Sequence, residues 1–243
     1  MKAFRFITIA TLAFLGSSCA KEMVFEPVAE DPNLIPLNIS GSIDQVATRA
    51  TAAGFVNGDA VGLFAVNYTE NNTIAGTLAA EGNQADNVKY VFDETNYKWV
   101  PVKPVYYKDI NTHADLYLYY PYESTISDVN AVNFEVKKDQ SAAATATELS
   151  GYEASDWMWG KAEDITPSQS SVQIPLKHKL SAIQLTLNEG TGWDEGEFAA
   201  QDKGVIVTNT TRKATLDYST GEVDPVGAPQ LDGIVMCPQT EVD

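Results

Sequence analysis

The stretch LIPLNISGSID, residues 34–44, decides how this chain is read. Ile35, Leu37, Ile39 and Ile43 fall on one parity, and Asn38, Ser40, Ser42 and Asp44 fall on the other. Alternation of period two puts the aliphatic side chains on one face of an extended chain, the signature of a half-buried strand. Pro36 lies on the polar parity. That suits an edge strand, because proline has no N–H to give to a ladder.

Similar signals continue downstream. AVGLFAV (60–66) is a short apolar run opened by the turn residues Asn57, Gly58 and Asp59. DLYLYYPY (115–122) is aromatic and β-prone, and AVNFEV (131–136) alternates. SVQIPL (171–176) and SAIQLTL (181–187) alternate on either side of Lys177, His178 and Lys179. GVIVTN (204–209), KATLDY (213–218), the turn STGEV (219–223) and GIVMC (233–237) follow. The Ser- and Thr-rich residues 139–156 read as a long loop rather than a helix. Many short strands separated by turns predict an all-β sandwich architecture, and no solenoid or propeller repeat is evident. The character of the strands changes near residues 178–181, which divides the chain into a unit at 50–178 and a shorter one at 179–243.

Upstream of the opening strand, Lys2 and Arg5 precede the short apolar run FITIATLAFL (6–15), and small residues follow it. This is the pattern of a secretory signal, here residues 1–18, and it is too short for a permanent membrane span. Cys19 stands in LGSSCAKE, directly after the apolar run. Its placement resembles the lipobox of bacterial lipoproteins, although Gly16 occupies a position where a bulkier aliphatic is usual. Acylation there would anchor the chain to lipid, since each buried CH₂ is worth ~0.8 kcal/mol and several chains together hold firmly. AKE (20–22) resembles the charged export tags of surface lipoproteins in Bacteroides-type bacteria. Residues 19–32 are polar, carry proline and show no periodicity, so they read as a tether. The other cysteine, Cys237, lies in an apolar run and reads as an inert buried thiol.

Composition narrows the function. Lys plus Arg number 16 and Asp plus Glu 33, a formal net charge of −17. Such a chain repels phosphate backbones and anionic lipid surfaces, so nucleic acid is a poor partner. The two histidines, His113 and His178, have no metal-ligand partner at helical or hairpin spacing, and no nucleophile or phosphate-loop motif is present. No cofactor and no catalytic set is expected. In DWMWGKAED (156–164), Trp157 and Trp159 share strand parity, which places them more simply in a core than on a sugar-stacking face. A glycosidase would need two converging carboxylates, and no spacing in the sequence points to such a pair.

Arg49 is one of three arginines and sits in QVATRATAAGF (45–55), just after the opening strand. Its small neighbours would let a protease seat the chain in extended form, and exposed loops are where nicking concentrates.

Taken in order, SSC at Cys19, ATRA at Arg49, GDAVGLFAV (58–66), LYYPY (118–122), DWMWG (156–160), LKHKLSAIQLTL (176–187), TLDYSTGEV (215–223) and IVMCPQT (234–240) resemble the fimbrillin family, the Bacteroides-type (type V) pilins and their relatives. The resemblance implies two transthyretin-like β-sandwich domains. It implies export as an acylated (palmitate-bearing) lipoprotein on Cys19, held in the cell outer membrane. Cleavage of the Arg49–Ala50 bond by a trypsin-like surface protease would then remove the strand bearing Ile35, Leu37, Ile39 and Ile43. The groove left behind would accept a donor strand from another pilin subunit, building a fimbria that supports adhesion to a host glycan or protein. Relatives continue beyond the PQT strand and use their C-terminal segment as donor. Nothing follows Asp243, so the second domain is expected to be incomplete. The alternative is a monomeric, lipid-anchored binding module that keeps its first strand.

Overall fold

Two strands form the middle of the molecule, β2 (Ala60–Asn67) and β5 (Ala114–Tyr120), paired antiparallel with Leu63 opposite Leu118 and Ala65 opposite Leu116. Both are buried along almost their whole length because both of their faces are covered. Val61, Leu63 and Ala65 of β2 and Leu116, Leu118 and Tyr120 of β5 face one core. Phe64 and Val66 with Tyr117 and Tyr119 face a second. An unbroken apolar run is what a strand covered on both sides requires.

The structure is a computed structural model that describes residues 34–43, 54–145, 148–201 and 203–238, all within one compact unit, Pro32–Asp243. Around the central pair lie β1 (Ile39–Ile43), β3 (Ala85–Asp93), β4 (Lys98–Pro101), β7 (Met158–Ile165) and β8 (Val172–His178). They make a seven-stranded sheet of order β1-β8-β7-β5-β2-β3-β4. Every pairing in it is antiparallel except β1 with β8. The two ends of the order come together: the Trp99 indole of β4 reaches β1 and donates to the Gly41 carbonyl at 3.3 Å. The sheet therefore curls around the first core.

A second sheet closes the other core. β6 (Val132–Glu135), β10 (Lys213–Leu216) and β11 (Val223–Pro225) form it in the order β11-β10-β6. Val132, Phe134, Ala214 and Leu216 lie inward against Phe64 and Tyr119, while Asn133 and Glu135 face out. Alternation in β6 and β10 thus matches burial on one face only. β6 precedes residue 179 in the chain and β10 follows it, yet they pair, with Ala214 opposite Phe134. A two-stranded ladder of β9 (Ile206–Val207) and β12 (Ile234–Val235) completes the strands. The described residues are all-β apart from single helical turns at Glu153–Ser155 and Glu197–Ala200. The described residues of the 139–156 stretch before the first of these turns, 139–145 and 148–152, are loop, as their composition predicts.

Two expectations differ from what is found. SAIQLTL forms no strand, and Ile183, Leu185 and Leu187 are 57%, 54% and 50% exposed. Alternation makes a strand only where an edge is available to pair with, and no described residue pairs with 181–187. Cys237 is half-buried rather than buried, because it follows a two-residue strand, β12, that is itself only half-buried between β9 and residues 138–140.

These burial differences give a stability test. Leu63→Ala, in the fully buried centre, should lower unfolding free energy by roughly 2–5 kcal/mol in a urea titration. Leu185→Ala should change it by no more than about 0.5 kcal/mol.

Candidate functional site

The feature that distinguishes this fold is the way its first strand is held. Residues 35–37 pair antiparallel with 105–107: the Leu37 N–H donates to Val105 O at 2.9 Å and the Tyr107 N–H to Ile35 O at 3.0 Å. Pro36 sits opposite Tyr106 between those two bonds, so its missing N–H is not needed there. The strand then crosses over to β8. The Val172 N–H donates to Asn38 O at 2.9 Å, and β1 continues in parallel register from Ile39 opposite Val172 to Ile43 opposite Leu176. One segment thus spans the gap between β8 and the chain that follows β4.

The strand's inner face fills the first core. Leu37 and Ile39 are 1% and 3% exposed, and Ile35 and Ile43 pack against the same cluster. The sequence-derived set Ile35, Leu37, Ile39 and Ile43 is therefore brought together on one face. Two ring groups from the floor bind the strand's carbonyls. The Tyr90 hydroxyl donates to Leu37 O at 2.7 Å, and the Trp99 indole N–H donates to Gly41 O. Burial raises the Tyr90 phenol well above its ordinary pKa, which keeps it a donor.

Gly41 shares the inward parity. A Cβ on it would lie 3.1 Å from Trp99 Nε1 and 3.2 Å from Leu118 Cδ2, so the groove is shallowest at that point. On the far side of residues 44–53, Phe55 packs edge-on against Trp99, ring centres 4.8 Å apart, and also meets Tyr120 at 5.7 Å. Just beyond it the Asp59 carboxylate accepts from the Val56 N–H at 2.8 Å and from the Tyr120 hydroxyl at 3.4 Å. Burial raises the Asp59 pKa, an effect only partly offset by the Val56 bond. Cys19, Arg49 and Ala50 lie outside the described residues.

The other candidates fall into the scaffold. Trp157 stacks on Phe134 with centroids 4.8 Å apart, and the Trp159 indole donates to Tyr218 O at 3.0 Å. Both belong to the second core, as their shared parity predicts. His178 and Asp156 are bonded at 2.6 Å, as are His113 and Asp164. Among the described residues no group of three or more His, Cys, Asp or Glu side chains could hold a metal ion. The floor itself, Tyr90, Trp99, Phe55 and residues 105–107, was not singled out from sequence. The aromatic spacing in KYVF (89–92) and KWVPVKPVYY (98–107) is the signal that carries it.

A family profile described as fimbrillin-like matches residues 48–240. Solved structures with a similar fold include a proposed cell adhesion protein from Bacteroides uniformis, with TM-score 0.56 and 19% identity, covering 85% of this chain and 70% of that one. A second proposed cell adhesion protein, from Bacteroides ovatus, has TM-score 0.55 and 16% identity, covering 86% and 75%. At these identities the likeness is one of fold. No curated protein matches the chain in sequence.

Two tests address the grip on the strand. Tyr90→Phe leaves the buried Leu37 carbonyl without its donor, a loss of ~1–3 kcal/mol. Hydrogen exchange should then speed up at the Leu37 and Tyr107 amides before it does in β2 and β5. The raised Asp59 pKa means the folded state holds that proton more tightly than the unfolded state. This contribution favours folding below the unfolded value of about 3.9 and is lost as pH rises through the folded one. Asp59→Asn keeps an acceptor but no titration. Urea unfolding at stepped pH should therefore show wild type losing stability relative to Asp59→Asn as pH increases across that window.

Proposed function

The chain belongs to the fimbrillin-like family, and from that premise we propose that its first strand is a temporary occupant of the groove, replaced by a strand of another subunit in a surface fimbria. In this reading residues 1–18 direct export and Cys19 carries the lipid. Residues 19–49 form a removable tether and strand, and the domains fall at 50–178 and 179–243. A trypsin-like protease cuts Arg49–Ala50, and the assembled subunits support adhesion.

One observation carries the reading. Among the described residues every backbone–backbone bond of the strand goes to residues far away in sequence, at 105–107 and in β8. A single cut between Ile43 and Phe55 therefore turns it into a separate peptide, while the rest of the seven-stranded sheet remains one chain. Removing it uncovers the positions of Leu37 and Ile39, whose burial is worth about 1.5–3 kcal/mol per side chain. It also leaves unpaired edges at β8 and at 105–107, and an apolar groove flanked by free edges recruits a foreign strand.

The test is limited trypsin digestion of the purified full chain, followed by mass spectrometry and size-exclusion chromatography. The expected product begins at Ala50 and exchanges its first strand for an added labelled peptide of residues 34–44, which then co-elutes with it, and Arg49→Ala abolishes both changes. A surface-assembled form whose N-terminus is Cys19 and never Ala50 would overturn the cleavage step. A cut product that keeps its own strand and takes up none of the peptide would favour the lipid-anchored binding module instead.

A further inference from the structure

We infer that the groove selects its incoming strand by demanding glycine at one register position, so that the partner it fits is an extended strand of pattern aliphatic-x-aliphatic-x-aliphatic-x-Gly-x-aliphatic from another subunit. This rests on the strand-replacement reading above and specifies which strand can enter.

The resident strand shows what each register position tolerates. At the positions of Leu37 and Ile39 the floor encloses a large aliphatic side chain completely. At those of Ile35 and Ile43 it covers one in part. At the position of Gly41 it has no such room. The Trp99 ring and the Leu118 methyl rise to within 3.1 and 3.2 Å of where a Cβ would stand. Alanine fits there only if one of them yields by a few tenths of an ångström. A β-branched or longer side chain would have to displace a fully buried leucine and a tryptophan that is itself packed against Phe55 and Phe92. Packed cores resist such overfilling.

The remaining contacts do not discriminate among strands. Tyr90 and Trp99 bind carbonyls, which every strand presents. Residues 105 and 107 and β8 bind backbone. The outward position of Ser42 is exposed and meets no such wall. The position of Pro36 needs no donor toward residues 105–107, so proline is admissible there. The required pattern is also rare. Of the 16 glycines in these 243 residues, only Gly41 is preceded at two, four and six residues by Ile or Leu. Within these residues the resident segment alone carries it.

The experiment uses the full chain with a site-specific protease sequence in place of residues 45–49, cut after folding so that the resident strand is held only by the groove. A labelled peptide of residues 34–44 is offered in excess, alongside the same peptide with Gly41→Ala, Gly41→Val or Ser42→Val. Incorporation is read by native mass spectrometry. The expected result is that the parent and Ser42→Val peptides exchange in alike and Gly41→Ala exchanges less. Gly41→Val should fall by about tenfold or more. Equal incorporation of the Gly41→Val and Ser42→Val peptides overturns the glycine requirement and leaves strand replacement standing. Failure of the parent peptide itself to exchange overturns both.

Discussion

The structure depends on how one open edge is covered. A seven-stranded sheet that curls around an apolar core must either close its ladder or fill the seam. Here the seam lies between β8 and residues 105–107, and the strand that enters it brings Leu37 and Ile39 into full burial. Without it, aliphatic and aromatic groups of β2, β4 and β5 would face water beside unpaired N–H and C=O groups, the two conditions under which sheets seek foreign strands. The central strands can be apolar on both faces only because both faces are covered, and the cover of the first core includes a segment joined to the rest of the sheet at a single end.

In the proposed exchange, the same seam would let the strand be firmly seated and still replaceable. Its pairing with β8 is parallel, the geometry with slightly weaker bonding per residue. Its antiparallel pairing is limited to residues 35–37. The two side-chain grips reach carbonyl oxygens, so they hold the backbone and ignore sequence. Affinity therefore comes from features any strand shares, whereas discrimination comes from the depth of the groove under each side chain. That division of labour is the general logic of strand addition: main-chain bonds bind and pockets choose.

Much of this was legible in the sequence where a residue's role is set by its own stretch of chain. The parity of Ile35, Leu37, Ile39 and Ile43 places those side chains inward before any partner is known, and the shared parity of Trp157 and Trp159 does the same for the second core. The groove floor was not legible, because Tyr90, Trp99 and residues 105–107 acquire their role only from a strand more than fifty residues away. β3 and β4 are hard to read from sequence for a related reason: Asn87, Lys89 and Lys98 break up their apolar run, and burial comes from the curl of the sheet. SAIQLTL failed in the opposite direction. Its alternation is as clean as that of β6, but β6 has β10 beside it, and 181–187 has no described neighbour to pair with. Alternation states a preference of the side chains, and an edge must still be supplied.

Trp99 joins the two sides of the segment that carries Arg49. Before that segment, the indole N–H holds Gly41 O; after it, the indole edge meets Phe55. A cut between them leaves Phe55 packed on Trp99, Phe92 and Tyr120, and Asp59 still bonded to the Val56 N–H. Phe55 and Val56 are thus held on the groove floor by contacts that do not involve the first strand. In the proposed exchange, a groove whose wall survives the cut would keep its shape for the incoming strand. The residue that limits what may enter, Trp99 opposite Gly41, is the one that Phe55 holds in place.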